Sequence, residues 1–294
     1  MKKLSFKRSL TQDTSAYIFI LPSVLMFLLF VLYPLILSVV ISFQERGLVH
    51  AKWIGLANFK NIFSDAYFFV ALKNTFLFVL FLVPALTIVG FLAAVQINKL
   101  SHGLRSFFRA AFYLPVVLSG VVISLIWLLI FNPSYGLLNY LVSLFGGGPI
   151  IWMASPGTLY YLMFVVFTFN FGTVLIIYLA ALGNIPEDMY EAARIDGAKT
   201  RTITWKITFP LLKPTTFFIM VTQTIAVFQT WVVIQLLTNG GPARSTETIV
   251  FQIYIDAFWF NEFGRASALG MILLVIIVLI TLLQKLYAGE EISY

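Results

Sequence analysis

Uncharged polar side chains interrupt otherwise apolar stretches of the chain. Asn170 lies in one such stretch, and Thr222, Gln223, Gln229 and Trp231 lie in another. Amide and hydroxyl groups exchange hydrogen bonds with a neutral polar solute, and an indole can stack on a ring. The same side chains can instead only hydrogen-bond one helix to the next. From the sequence, both interpretations stay open.

A second group of residues is charged and occupies one connection, residues 183–214, which read GNIPEDMYEAARIDGAKTRTITWKITFPLLKP. Pro186 suits the start of a helix, and the acids that follow it favour a helix N-terminus. Gly197 suits a left-handed cap just past the end of that helix. A second short helix would end near Pro210. The connection therefore predicts a helix, a tight turn and another helix.

The sequence lacks the patterns of common catalytic and metal centres. It contains no cysteine, and its two histidines, His50 and His102, lie far apart. It has no Gly-x-x-x-x-Gly-Lys-[Ser/Thr] phosphate loop and no His-Glu-x-x-His zinc pattern. We therefore expect no catalytic residue, no metal site and no bound cofactor in this chain.

Long apolar segments must position these residues. Hydrophobic residues make up 60% of the chain and charged residues only 11%, whereas a soluble domain carries about a quarter charged residues. A bilayer-spanning helix needs about 20 mostly apolar residues. Six segments qualify: 17–43, 74–97, 107–131, 159–182, 215–237 and 266–286. The sequence predicts an all-α polytopic membrane protein with about six transmembrane helices, and the first segment is long enough to be a retained span.

Lysine and arginine fix the predicted orientation. Most of the 19 such residues lie in connections on the side of the N-terminus, and the outer connection 132–158 has none. Positive charge concentrates on the cytoplasmic side of membrane proteins, which predicts that both termini and the 183–214 connection are cytoplasmic. We expect cytoplasmic tails at 1–16 and 288–294 and a single transmembrane domain at 17–287.

The positions of the acidic residues indicate whether ion binding could drive transport. All 12 Asp and Glu lie outside the six predicted spans. A charge at mid-membrane costs about 2.5–3.5 kcal/mol on insertion scales, so carriers keep one only for a function such as proton or cation coupling. Because the predicted spans contain no Asp or Glu, an ion-coupled secondary transporter of a small polar solute is disfavoured, and it stays the alternative function. The missing catalytic groups disfavour a membrane enzyme.

One motif in the charged connection is specific. Glu191-Ala192-Ala193, three residues, Gly197, nine residues and Ile207-Thr208-Phe209-Pro210 resemble the EAA motif of binding-protein-dependent ABC importer permeases. Phe209 stands where that motif usually has Leu, a change that keeps the position large and apolar. The resemblance implies a coupling loop that docks on a separate ATP-binding subunit. The implied contact residues are Glu191, Ala192, Ala193, Asp196, Gly197, Ile207 and Pro210.

Further segments are similar to carbohydrate-importer permeases. They are residues 55–59, 108–115, 131–133, 238–248 and 253–268. This resemblance implies a sugar, such as an oligosaccharide or disaccharide, or a related polar solute. It implies solute contacts in the middle of the fourth and fifth spans, from Asn170, Thr173, Thr222, Gln223, Gln229 and Trp231. The outer connections would contact a solute-binding protein, through Asn58, Phe59, Gly240, Gly241 and Pro242.

Together these resemblances imply a type I ABC importer permease fold that works by alternating access in the cytoplasmic membrane of a prokaryote. The implied partners are two ATP-binding cassette subunits, a second and non-identical permease, an extracytoplasmic solute-binding protein, the sugar and membrane lipid. The partner subunits, rather than this chain, would bind ATP and magnesium. The chain would not itself be an enzyme, and no nucleic-acid partner is expected.

Overall fold

A computed structural model describes residues 17–155 and 157–288. Most of these residues are helical. The helices are α1 (Tyr17–Ser42), α2 (Ala57–Ser64), α3 (Ala66–Asn98), α4 (His102–Val117), α5 (Gly120–Ile130), α6 (Leu137–Leu144), α7 (Thr158–Gly183), α8 (Glu187–Ile195), α9 (Thr200–Leu211), α10 (Lys213–Phe228), α11 (Val232–Leu237), α12 (Ile249–Trp259) and α13 (Phe263–Ala288). A short hairpin, β1 (Gln44–Arg46) and β2 (Ala51–Trp53), follows α1.

Four helices, α1, α3, α7 and α13, are long and apolar enough to cross a membrane. Two bent pairs, α4 with α5 and α9 with α10, pass the same test together. When each bent pair counts as one span, the described residues provide six candidate spans. The predicted number of spans and the helical fold class are therefore confirmed.

The third predicted span, 107–131, is wrong as one continuous helix. Leu118 (φ −78°, ψ 145°) and Ser119 (φ −66°, ψ 151°) are extended, and α4 and α5 meet there at 101°. The Ser119 hydroxyl caps α5 by accepting a hydrogen bond from the Val122 amide at 3.3 Å. Pro115 lies inside α4, three residues before the extended pair.

The fifth predicted span, 215–237, is also broken. Helix α10 ends at Phe228, Trp231 leaves helical geometry (φ −144°, ψ −37°), and α11 starts at Val232. The Thr248 hydroxyl donates to the Thr230 carbonyl oxygen at 3.1 Å, which satisfies one acceptor released by the break. A second bend, of 65°, separates α9 from α10.

The second predicted span starts too late. Asp65 caps α3 by accepting a hydrogen bond from the Tyr67 amide at 2.9 Å. The helix therefore begins well before the predicted boundary at Asn74. Asn74 is buried inside it, and its side-chain amide donates to the Glu247 carbonyl oxygen at 2.9 Å.

The contacts divide the described chain into two compact units. The first comprises 17–64 and 256–272 and includes the hairpin, in which Glu45 faces Lys52. The sequence does not predict this hairpin. The Asn58 side-chain amide donates to the carbonyl oxygens of Ser42 and Gln44, both at 2.9 Å. It thereby fastens α2 to the end of α1 and the start of β1.

The second unit comprises 65–255 and 273–288 and contains the larger core. Helix α7 packs against α3 and α4 through two glycines. A Cβ added at Gly90 would lie 2.5 Å from the Val174 side chain, so the absence of a side chain at Gly90 allows a close helix contact. A Cβ added at Gly172 would overlap the Phe112 carbonyl oxygen. Neither position has room for a side chain.

Candidate functional site

A cavity of about 380 Å³ lies in the second unit, where helices start and stop. We call it the break cavity, because it opens at the first residue of α5 and at the break between α10 and α11. Its lining also includes the middle of α7. The lining residues are Gly120, Val166, Phe169, Asn170, Ala226, Gln229, Thr230, Trp231, Val232 and Val233.

Two amide side chains equip the break cavity for hydrogen bonding. The Asn170 Nδ2 donates to the Val166 carbonyl oxygen at 2.9 Å. A side-chain amide has two hydrogens and one acceptor oxygen, so this bond leaves Asn170 able to donate and accept again. Gln229 is exposed at the end of α10. The predicted solute residues Asn170 and Gln229 thus line one cavity, although they are far apart in sequence.

An aromatic pair fixes one wall of the same cavity. The Trp231 indole stacks on Tyr254 with ring centroids 4.7 Å apart, and the Tyr254 hydroxyl accepts a hydrogen bond from Gln235 Nε2 at 2.9 Å. These contacts hold the indole in one orientation. Every described residue that lines the cavity is uncharged, so the wall matches a neutral solute with polar groups and an apolar face.

The other predicted solute residues lie elsewhere. Thr173 is half-buried on α7, and Thr222 donates to the Phe218 carbonyl oxygen at 2.9 Å. Gln223 is 4% exposed, and its Oε1 has no hydrogen-bond partner within the described residues. Sequence reasoning did not select Gly120 or Thr230. The only sequence signal for Gly120 was the neighbouring Ser119, a helix-capping residue type.

The charged loop, residues 183–214, presents one exposed helix. In α8 the Arg194 guanidinium lies 3.2 Å from the Glu187 carboxylate, and both side chains are exposed. Glu191, Ala192 and Asp196 are exposed and Ala193 is half-buried. Ile195 is 86% exposed. Exposed acids beside an exposed aliphatic side chain form a surface suited to a protein partner.

The turn after α8 requires a glycine. Gly197 has φ +74°, and its amide donates to the Arg194 carbonyl oxygen at 3.0 Å. The Ala198 amide donates to the Ala193 carbonyl oxygen at 2.9 Å. These two bonds form a Schellman cap. A Cβ at Gly197 would meet no atom within 4 Å, so backbone conformation rather than space selects glycine. The predicted left-handed cap is confirmed.

Helix α9 is anchored to the helices beneath it. Phe209 packs against Phe91 of α3 and Trp205, with ring centroids 5.5 Å and 5.6 Å away. The hydroxyls of Tyr190 on α8 and Thr208 on α9 lie 3.3 Å apart. Ile207 and Pro210, the other predicted docking residues, are half-buried.

The predicted binding-protein contacts are partly internal. Asn58 is buried and holds the start of β1 as described above, while Phe59 is half-buried. Gly240 is buried with φ +83°, and a Cβ there would lie 2.9 Å from the Glu247 and Phe251 side chains. Gly241 and Pro242 are half-buried. Their contact with a binding protein stays a prediction.

Within the part of the chain that the structure describes, no group of three or more His, Cys, Asp or Glu side chains could hold a metal ion.

Comparison with known proteins identifies the family. The family model described as "Binding-protein-dependent transport system inner membrane component" matches residues 86–289. This match covers α4 to α13, including the charged loop, and the C-terminal part of α3. The chain belongs to this inner membrane component family.

Relatives of this inner membrane component match along nearly all of its length. The probable ABC transporter permease YesP of Bacillus subtilis is 36% identical over 96% of the chain and 92% of YesP. The sn-glycerol-3-phosphate permease UgpA of Agrobacterium fabrum is 30% identical, covering 95% of the chain and 96% of UgpA. The arabinooligosaccharides permease AraP of Bacillus subtilis is 31% identical, covering 95% and 90%.

A solved structure has the same fold as this inner membrane component. It is a bacterial alginate ABC transporter in complex with an alginate pentasaccharide-bound periplasmic protein. One of its chains matches with a TM-score of 0.85 and 24% identity, over 94% of either chain. The predicted ABC importer permease fold is confirmed.

Proposed function

We propose that this chain is a permease subunit of an ATP-driven importer and that its solute is a neutral sugar or oligosaccharide. Family membership supports the permease role. The named substrate of AraP, arabinooligosaccharides, supports a carbohydrate. The UgpA relatives transport sn-glycerol-3-phosphate, but a phosphorylated solute needs cationic partners, and the break cavity has an uncharged wall.

The observation that carries the solute class is the joint placement of Asn170, Gln229 and Trp231 around the break cavity. Sugars present hydroxyl groups around their edges and C–H groups on their faces. Two amides can satisfy the hydroxyls, and a fixed indole can cover a face. Thr173, Thr222 and Gln223, which do not line this cavity, would act at another stage of the pathway.

We propose that the charged loop transmits the conformational change of the ATPase subunits to the membrane helices. Two ATP-binding cassette subunits would bind ATP and magnesium, and each would receive a loop of this kind. Glu191 and Asp196 would pair with Lys or Arg of the ATPase, and Ile195 would insert into an apolar groove. Closure of the ATPase dimer would move α9 and α10, and with them Gln229 at the end of α10. Access to the break cavity would then alternate between the two membrane sides.

The remaining partners follow from this assignment. A second permease, non-identical in the arrangement we favour, would complete the pathway, and an extracytoplasmic solute-binding protein would deliver the sugar. The complex would lie in the cytoplasmic membrane of a prokaryote, with both termini and the charged loop inside.

Uptake of labelled sugars by cells that express the complete transporter tests the solute site. We expect Asn170→Ala and Trp231→Ala each to lower uptake about three- to tenfold, the usual effect of one lost hydrogen bond or ring contact. Thr168→Ala is the matched control, because the Thr168 hydroxyl on the same helix donates to the Val165 carbonyl oxygen and does not line the cavity. Uptake that is unchanged in both cavity variants would contradict the proposed site.

Co-purification from mild detergent tests the docking loop. We expect the wild-type chain to recover an ATPase and a sister permease, and Glu191→Lys to lose the ATPase at least tenfold while it keeps the sister chain. Glu45→Lys, a charge reversal in the hairpin, is the control. An ATPase recovered equally with both variants would rule out docking through Glu191.

Uptake that persists without ATP hydrolysis but stops with a proton or sodium ionophore would favour an ion-coupled carrier.

A further inference from the structure

A second cavity, of about 510 Å³, lies at the root of the charged loop. We call it the basic cavity. It opens between the ends of α3 and α7, the start of α4 and the helices α8 and α9. Its polar lining includes Lys99, Arg105, Tyr190, Arg194, Thr204 and Thr208. The volume falls within the range of about 300–1,000 Å³ that is typical of small-molecule sites.

The basic cavity carries a surplus of positive charge. Lys99, Arg105 and Arg194 line it, and Glu187 is the one acid among its lining residues. The Glu187 carboxylate already lies 3.2 Å from the Arg194 guanidinium. Lys99 and Arg105 therefore supply positive charge that no carboxylate among the described lining residues offsets. Such a wall favours an anionic ligand.

Arg105 supplies the most informative contact. Its Nη2 donates to the Asn98 and Leu100 carbonyl oxygens, which neutralises the partial negative charge at the end of α3. Its Nε is buried and has no hydrogen-bond partner among the described residues. A buried guanidinium donor without an acceptor destabilises the protein unless a ligand completes it. Guanidinium groups match phosphate oxygens in geometry as well as charge.

The position of the cavity indicates where the anion comes from. Asn98 ends α3 and Gly183 ends α7, and both helices are long and apolar enough to span a membrane. The ends of such helices lie at the depth of lipid headgroups. Val95, Leu182 and Ile185 add an apolar side to the lining, which suits the glycerol and first acyl carbons that accompany a headgroup.

We propose that the basic cavity binds the phosphate of an anionic phospholipid. The phosphate would pair with Lys99 and with Arg105, whose side chain would turn to bring its unpartnered Nε to the ligand. Tyr190 and Arg194 belong to α8, so the bound lipid would connect the charged loop to α3 and α4. The lipid composition of the membrane would thereby influence how firmly the loop is held.

Native mass spectrometry of the complete transporter, stripped of lipid in mild detergent, tests this proposal. Phosphatidylglycerol, phosphatidylcholine and inorganic phosphate are titrated separately. We expect the wild type to bind phosphatidylglycerol more tightly than phosphatidylcholine. Arg105→Gln and Lys99→Gln should each weaken phosphatidylglycerol binding about tenfold, the effect of one lost charged hydrogen bond. Lys206→Gln, which removes a charge from α9 outside the cavity lining, should bind like the wild type.

The outcomes of these titrations distinguish a lipid site from a site for a soluble anion. Equal binding of the two lipids, or equal phosphatidylglycerol binding by wild type and both cavity variants, would overturn the proposal. Inorganic phosphate that binds as tightly as phosphatidylglycerol, with the same sensitivity to Arg105→Gln, would assign the site to a soluble anion and overturn the lipid source. If Arg105→Gln fails to fold because the end of α3 loses its cap, Lys99→Gln decides, since the Lys99 side chain is exposed.

Discussion

The charged loop and the break cavity are assembled in opposite ways. The loop takes all its parts from one short stretch of chain, and its turn is closed by bonds between near neighbours such as Ala198 and Ala193. The break cavity takes its wall from α5, α7, α10 and α11. The loop is thus a local structure, whereas the cavity exists only when distant helices are packed together.

This difference separates two kinds of vulnerability. A substitution in the loop should change the loop and its partner while the helix bundle persists. A substitution in the packing behind the cavity should damage the whole bundle, loop included. Variants of three residues test this contrast, from the largest expected effect to the smallest.

Gly172→Val should have the largest effect. A side chain at Gly172 would overlap the Phe112 carbonyl oxygen and lie 2.9 Å from the Val116 side chain. Because a backbone atom cannot rotate aside, we expect a cost at or above the upper end of ordinary overpacking, about 3 kcal/mol. The expected result is loss of monodisperse protein in detergent gel filtration and a lower melting temperature.

Gly183→Ala is the control for Gly172→Val on the same helix. A Cβ at Gly183 would meet no atom within 4 Å, and alanine favours helix over glycine by about 1 kcal/mol. Its stability should equal or exceed that of the wild type. Wild-type behaviour of Gly172→Val would show that α4 and α7 are not tightly packed.

Gly197→Val should act locally. A left-handed conformation costs an L-residue about 1–2 kcal/mol, and a β-branched side chain is especially unsuited to it. We expect normal yield and melting temperature but weaker ATPase co-purification. Gly197→Asn should behave nearly like the wild type, because Asn adopts positive φ more readily. Equal loss of ATPase with Asn and Val would mean that the turn conformation is not what the partner needs.

Phe209→Leu should have the smallest effect. It restores the residue usual in the EAA motif, and it removes ring contacts with Phe91 and Trp205. Because the position stays large and apolar, the cost should be below about 1.5 kcal/mol. A thermal melt of the purified complex measures it. A drop in melting temperature as large as that of Gly172→Val would show that this aromatic cluster contributes as much to stability as the α4–α7 contact.

Local signals explain what could be predicted from the sequence. The acids after Pro186 and the glycine at position 197 act through neighbouring backbone groups, so the helix, turn and second helix of the loop could be inferred residue by residue. Asn170, Gln229 and Trp231 could be named as candidates because amide and indole side chains in apolar segments suit a sugar and because the family resemblance implies solute contacts in those spans; their contact with a solute stays a prediction. The number of spans followed from segment length alone.

The breaks could not be predicted, because apolar composition does not report backbone direction. Pro115 was the visible candidate for a bend, yet the chain turns at Leu118 and Ser119, where an extended pair precedes a capped helix. Around Trp231 no glycine or proline marks the interruption. The hairpin after α1 likewise depends on pairing between two three-residue strands, which is too short to leave a periodic signal.

The two glycine contacts of α7 have a mechanical consequence. Gly172 meets Phe112 of α4, and Val174 meets Gly90 of α3, so one turn of α7 is clamped from two directions beside Asn170. Asn170 is therefore held in place by packing on two sides, while Gln229 lies at the end of α10, across the break cavity. A moving α10 would carry one amide away from the other. The solute would then be released because the Asn170 and Gln229 amides move apart, and neither side chain would have to change its own conformation.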